Sequence, residues 1–395
     1  METKKLKILS FGDNPLTSTG YGCVWQNLLT RWCKARPEWK FMHVGWQSRD
    51  RAHQTKDGYY ILPMGKLEYG YDVVFPNLIQ HKPDFLVTLC DVGWQSGFIE
   101  GVREAKKQGW RGKWIMYTPV DTHAWAMGWD EIFKQPDINI SMAKFGKEQM
   151  DIHGIENTLL EHGVDLEYFK PVEDRQAIKK RFKFEDKFVV GFVGRNQTRK
   201  MIDRLMLAFS HFAKNKQDVV LLMHTDEEPA GQGWSMKYMQ WLYKIEDKMC
   251  LTKSGLDIFS RQNIGENMMN EIYNMMDVFC YMTGGEGFGL PAIECQASGT
   301  PLLMTDCSTA LDLCREENKI PVLKDTHGRP VGIVGTNGVD FKIPDDIAAS
   351  ELLEKRYTEW KEGKLEERRK EAREFALKYD WTQIAERWIS LFEEE

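Results

Sequence analysis

The chain has 395 residues, 42% of them hydrophobic and 28% charged, with a formal net charge of −6. That length exceeds what one compact core fills, so two α/β domains are predicted, and the acidic balance excludes a chain-wide polyanion binder while leaving room for a local basic patch. No window approaches 18 consecutive apolar residues, and the opening METKKLK runs into a short apolar strand without an h-region, so neither a membrane span nor a signal peptide is predicted.

In chain order, short apolar runs alternate with longer amphipathic stretches, the pattern of parallel βαβ units. Leu6–Phe11 is predicted as a strand, followed by the loop GDNPLTSTGYG (Gly12–Gly22) and a helix over Val24–Ala35. Strands are predicted at Phe41–Val44, Phe85–Leu89, Trp114–Tyr117, Ile138–Ser141 and Thr158–Leu160. The polar stretch from His162, closing in a charged helix around Asp174–Phe182, lacks a strand pattern and is predicted to be a linker. A second series follows, with strands at Phe188–Val193, Val219–Met223, Val278–Tyr281 and Pro301–Met304 and helices at Asp203–Lys214, Met236–Lys248 and Glu266–Met276. From Ala348 the chain turns helical and charged, and Tyr379, Trp381, Ile384, Trp388, Leu391 and Phe392 give the last helix an apolar stripe. The eight cysteines contain no CxxC pair and sit mostly in apolar runs, which predicts buried free thiols and a reducing, cytoplasmic location.

One stretch carries the chemistry. Tyr281–Pro301 reads YMTGGEGFGLPAIECQASGTP: an apolar strand, a turn with Gly284, Gly285, Gly287 and Gly289, and a helix opened by Pro291. Backbone N–H groups at such a helix start, with the dipole behind them, suit a phosphate, and the glycines admit its close approach. Glu286 and Glu294 flank the loop. Two acids would repel an anion, so they make sense as acceptors for neutral hydroxyls on either side of a diphosphate: a sugar on one side, a ribose on the other.

The string closely resembles the E-x7-E signature of retaining glycosyltransferases of GT-B fold, family 4 in particular. Glu286 and Glu294 have the spacing, and GFGLPAI the form. GFVGRNQTRK (Gly191–Lys200) sets Arg195, Arg199 and Lys200 after a strand, where cations suit a diphosphate better than a helix dipole. The resemblance puts Arg195 and Lys200 on the donor diphosphate; Arg199 stays open between that role and a surface charge. EHGVDLEYFKP (Glu161–Pro171) is similar to the family's linker, with His162 in place of the commoner Asn, and Tyr379–Trp388 resembles its closing helix.

Further residues follow from that resemblance. Gly20 and Gly22 fit the glycine-rich loop that faces the donor phosphate, and the backbone near Asn263 and Ile264 fits the contact to the nucleoside base. Gly287, Phe288, Gly289 and Leu290 complete the donor loop. Asp121, with His123 second, follows the strand Trp114–Tyr117 and is placed to reach the sugar or the acceptor. Trp94, Trp125 and Trp129 lie in predicted loops, where gap filling outweighs stacking on a sugar. Tyr69, Tyr71 and the basic stretch Arg49–Lys56 are acceptor-mouth candidates, although a solvated loop accounts for them better.

The expected architecture is α/β and GT-B: two Rossmann-like domains facing across a cleft, with a C-terminal helix crossing back to the first. The expected boundaries are 1–165 for the acceptor-side domain, 166–186 for the linker, 187–365 for the donor domain and 366–395 for a helical tail packed on the first domain. The implied activity is transfer of a sugar from a nucleoside diphosphate sugar to a hydroxyl, with retention and without a metal or other cofactor. Glu286, Asp121, His123, Arg195 and Lys200 form the catalytic set. The acceptor is a glycan, a lipid-linked sugar or another hydroxyl compound. A modified base in nucleic acid is an alternative acceptor, and sugar-nucleotide epimerisation an alternative reaction.

Overall fold

In the computed structural model, the described residues are 5–49, 51–228, 231–252, 268–334 and 339–395. They divide into two compact units. The first comprises Met1–Val120, Trp125–His162 and Trp381–Glu395; the second comprises Asp121–Ala124 and Gly163–Asp380.

The first unit is built on eight strands: β1 (Lys7–Asp13), β2 (Lys40–Trp46), β3 (His53–Gln54), β4 (Tyr60–Leu62), β5 (Phe85–Leu89), β6 (Lys113–Thr118), β7 (Ile138–Ser141) and β8 (Thr158–Leu159). They lie in the order β3-β4-β2-β1-β5-β6-β7-β8, parallel except for β3 against β4. Every residue of β5 is buried, as expected for a strand covered on both faces. The helix Trp381–Glu394 joins this unit through its apolar stripe: Trp388 packs on Trp32 and Tyr117, and Phe392 on Trp32, at ring separations of 5.1–5.5 Å.

The second unit holds a parallel sheet of six strands: β9 (Phe188–Val193), β10 (Val219–His224), β11 (Met249–Leu251), β12 (Val278–Tyr281), β13 (Leu302–Thr305) and β14 (Lys319–Ile320), in the order β11-β10-β9-β12-β13-β14. A small antiparallel pair, β15 (Gly332–Val334) and β16 (Asp340–Lys342), stands apart from it. The strands that sequence analysis omits are β3, β4, β11, β14, β15 and β16, none longer than three residues, too short for a hydrophobic period to register.

Two domain boundaries need correcting. The expected linker 166–186 is part of the second unit. Its helix, Arg175–Arg181, is pinned by charge: Lys179 Nζ donates to the buried Asp277 carboxylate at 2.9 Å, Arg175 pairs with the other oxygen, and the Val189 N–H donates to the same group at 2.7 Å. The expected tail 366–395 is split. The helix Leu365–Ala376 lies on Leu290–Ala297, where Arg373 donates to the Ala297 and Phe169 carbonyls at 2.8 Å, and only the chain from Trp381 joins the first unit. Among the described residues, no helix is long and apolar enough to cross a membrane.

Candidate active site

The glycine-rich turn after β12 is shaped by steric need. A Cβ on Gly284 would stand 2.9 Å from the Lys342 carbonyl oxygen, and one on Gly285 2.5 Å from that of Asp121. Both approaches are closer than a side chain allows. Gly289 (φ +99°) then caps the helix Leu290–Ala297, with Pro291 in its first turn. Among the described residues the N–H groups of Gly287 and Gly289 have no protein acceptor, which leaves them available to an anion. The Phe288 side chain is buried against Tyr379, with 5.9 Å between ring centres, so it packs in the core.

Glu286 is 4% exposed and is the hub of the site. Its Oε1 accepts from Lys200 Nζ and Thr283 Oγ1, both at 2.6 Å, and from the Tyr281 hydroxyl at 2.8 Å. Its Oε2 pairs with Arg199 at 2.8 Å. Its N–H donates to Ser308 Oγ at 2.9 Å. Lys200 Nζ also donates to the Tyr281 hydroxyl at 2.6 Å. Burial by itself would raise the Glu286 carboxyl, but the charges of Arg199 and Lys200 outweigh it and hold the group down at about 2. Burial pushes Lys200 down to about 8, with the Glu286 carboxylate opposing, so the ammonium stays charged near neutrality. Burial likewise disfavours the Arg199 charge, yet Glu286 and Asp121 more than restore it.

Asp121 is half-buried in the segment Asp121–Ala124, which packs with the second unit, and its charge bears on both Arg199 and Lys200. His123 is exposed. Glu294 is half-buried on the helix after the loop and accepts from the buried Tyr273 hydroxyl at 2.7 Å. Arg195 is not brought to this cluster: it is exposed, and its side chain makes no hydrogen bond or ion pair among the described residues. Gly20 opens the helix Gly20–Ala35 of the first unit, and the Gly22 N–H is taken by the N-cap Thr19 at 3.0 Å. A Cβ on Gly22 would lie 2.5 Å from Thr17 Oγ1, so packing under the cap accounts for this glycine. Asn263 and Ile264 lie outside the described residues.

Sequence reasoning passed over Tyr281, Thr283 and Ser308 and left Arg199 open. Tyr281 and Thr283 alternate along the strand end that leads into Glu286, a period-2 signal. Ser308 comes from the far end of β13 and has no local signal.

Residues 173–373, just over half of the chain, match the family described as glycosyl transferases group 1. The chain belongs to that family. Curated relatives include the mannosylfructose-phosphate synthase of Agrobacterium fabrum, 30% identical over 175 residues, and the capsular polysaccharide biosynthesis glycosyltransferase CapM of Staphylococcus aureus, 28% identical over 183 residues. The matches cover 42% and 46% of this chain but only 35% and 43% of those proteins. Among solved structures, a sucrose-phosphate synthase from Thermosynechococcus elongatus superposes with a TM-score of 0.72 at 16% identity, covering 99% of both chains. Anabaena HepE in complex with UDP-glucose superposes with a TM-score of 0.69 at 12% identity, covering 99% of this chain and 100% of that one. The fold is therefore GT-B, an α/β architecture of two Rossmann-like domains.

Proposed function

We propose that this chain transfers a glycosyl group from a nucleoside diphosphate sugar to an acceptor hydroxyl, with retention of anomeric configuration and without a metal. One observation carries the reading: a buried, ionised Glu286 gripped by Lys200 and Arg199, beside the open N–H groups of Gly287 and Gly289, in a group 1 chain. The UDP-glucose bound to HepE supports a nucleotide sugar as donor.

In this mechanism the bond from the anomeric carbon to the diphosphate oxygen breaks, one to the acceptor oxygen forms, and the acceptor's hydroxyl proton passes to the leaving diphosphate. Negative charge grows on the leaving diphosphate. Lys200 and Arg199, fixed in advance, share their charge between Glu286 and that diphosphate, and the loop N–H groups add dipoles; such preorganised donors are worth about 3 kcal/mol each. Arg195, exposed and without a side-chain partner among the described residues, closes on the outer phosphate oxygens when the donor binds. Glu286 accepts from hydroxyls of the transferred sugar, Glu294 from those of the ribose, and Asp121 serves the sugar face ahead of His123. We place the reaction in the cytoplasm, with the eight free thiols as support.

The test is a panel of UDP-, GDP- and ADP-sugars without acceptor, read by slow hydrolysis, with the anomer of the released sugar assigned by proton NMR. One donor hydrolysed with retention, and undiminished by EDTA, is the expected result. Inversion, or loss with EDTA that Mg²⁺ restores, counts against the mechanism. Interconversion of the donor sugar in place of its release moves the assignment to an epimerase.

A further inference from the structure

We infer that the first unit carries a binding platform for an uncharged, hydroxyl-rich carbohydrate, built on the stacked rings of Tyr69 and Trp94 and flanked by Asp13 and Asp91. The position follows from topology. β1 lies between β2 and β5, so the chain leaves it to opposite sides, and ligands of open α/β sheets bind outside the strand C-termini at such a switch point. Asp13 closes β1, Trp46 closes β2, and Asp91 follows β5 by two residues.

The rings are presented to solvent. Tyr69 stacks on Trp94 with centres 4.7 Å apart and planes 27° apart, and Trp46 props Tyr69 edge-on at 4.9 Å. Trp94 remains 42% exposed, although it is the kind of side chain a fold buries when it can. The Trp46 indole N–H, 97% enclosed, has no hydrogen-bond partner among the described residues. Tyr69 takes φ +65° and Gly70 φ +70°, a turn rare for a bulky residue, and this turn sets the Tyr69 ring against Trp94. An aromatic face of this kind stacks on the C–H face of a sugar ring.

The rim decides the charge of the ligand. Tyr21 donates its hydroxyl to Asp91 at 2.6 Å, and Gln47 donates to Asp13 at 3.3 Å, so each carboxylate is oriented yet keeps lone pairs for sugar hydroxyls. Burial first, then a hydrogen bond to Glu68 and the charges of Glu68, Asp13 and Asp91, push the Tyr69 hydroxyl above its usual range and keep it neutral. Acids on this rim repel a phosphorylated sugar or a nucleic acid.

The experiment needs no nucleotide, so its failure leaves the transferase reading standing. Saturation-transfer NMR and calorimetry are run on the full chain with maltose, cellobiose, glucose 6-phosphate and a decathymidylate. Saturation transfer to the ring protons of at least one disaccharide is expected, with Kd at least fivefold tighter than for glucose 6-phosphate. Trp94→Ala should weaken that binding at least tenfold, and Trp94→Tyr should recover most of it, with melting temperature confirming the fold of both. Asp91→Asn should narrow the preference over glucose 6-phosphate at least threefold. Absence of binding by both disaccharides, tighter binding of either anion, or indifference to Trp94→Ala overturns the proposal; unchanged discrimination in Asp91→Asn overturns the role of the acidic rim.

Discussion

At the residue scale, three basic residues within six positions have different surroundings and different expected costs. Lys200 is 8% exposed and tied to Glu286 and Tyr281. Lys200→Ala leaves the Glu286 carboxylate with Arg199 as its one remaining cation among the described residues, so it should cost about 3 kcal/mol of stability, the scale for breaking a buried ion pair. Turnover should fall by a further 100-fold or more. Arg195→Ala should change stability by no more than about 0.5 kcal/mol, as surface substitutions do, so any loss of turnover in that variant reports on the donor alone. Urea melts and steady-state rates on the two variants check both statements; equal destabilisation would contradict this arrangement. The two glutamates separate in the same way: Glu294→Ala should weaken the free nucleoside diphosphate in calorimetry, while Glu286→Ala should depress turnover. Their spacing was legible in the sequence. The grip of Arg199 was not, because the short 3-10 turn Thr198–Lys200 brings Arg199 and Lys200 together onto Glu286, and a basic residue in a loop carries no local mark of that pairing.

At the element scale, the loop and the pinned helix each rest on one tight approach. Gly285→Ala would drive a methyl into the Asp121 carbonyl, which must then move away from the cations it serves. We expect a loss of about 1–3 kcal/mol of stability, the cost of overpacking, together with reduced turnover. Thermal unfolding and rate measurements on Gly285→Ala test this, and wild-type behaviour in both would mean that the segment Asp121–Ala124 does not bear on the loop. Asp277→Ala removes the acceptor that holds Arg175, Lys179 and the Val189 N–H. A buried lysine and a half-buried arginine without their carboxylate should cost about 3–5 kcal/mol, and limited proteolysis should then cut near the helix Arg175–Arg181. From sequence that helix is polar and charged, which suits a solvated linker equally well. Only the packing shows that its charges point inward to a carboxylate a hundred residues away.

At the scale of the whole molecule, acid should unfold the protein through its buried histidines. Burial pushes His43 and His162 down to about 3 and His224 down to about 4. The unfolded chain takes up these protons near pH 6.5 while the native state refuses them. Stability is therefore full above pH 6.5 and is lost as pH falls from there toward 4, by about 1.4 kcal/mol per pH unit for each histidine. Urea midpoints at pH 7, 6 and 5 measure the slope. In His43→Asn, where the amide can still meet Ser10, the slope should be shallower by one histidine's share.

Local chemistry determined the strand–loop–helix motif, the alternation of elements and the apolar stripe of the last helix, because each is written in residues a few positions apart. The strands Phe85–Leu89, Ile138–Ser141, Phe188–Val193 and Val278–Tyr281 fall where their apolar runs place them. Tertiary structure alone decided what depends on distant partners. It assigned residues 166–186 to the second unit and divided the tail at Trp381. It joined Arg199 to Glu286, left Arg195 in solvent and stacked Tyr69 on Trp94. The physical reason is common to all of these: propensity and hydrophobic period act over neighbouring residues, whereas ion pairs and ring stacks form between groups that only the folded chain brings within a few ångströms.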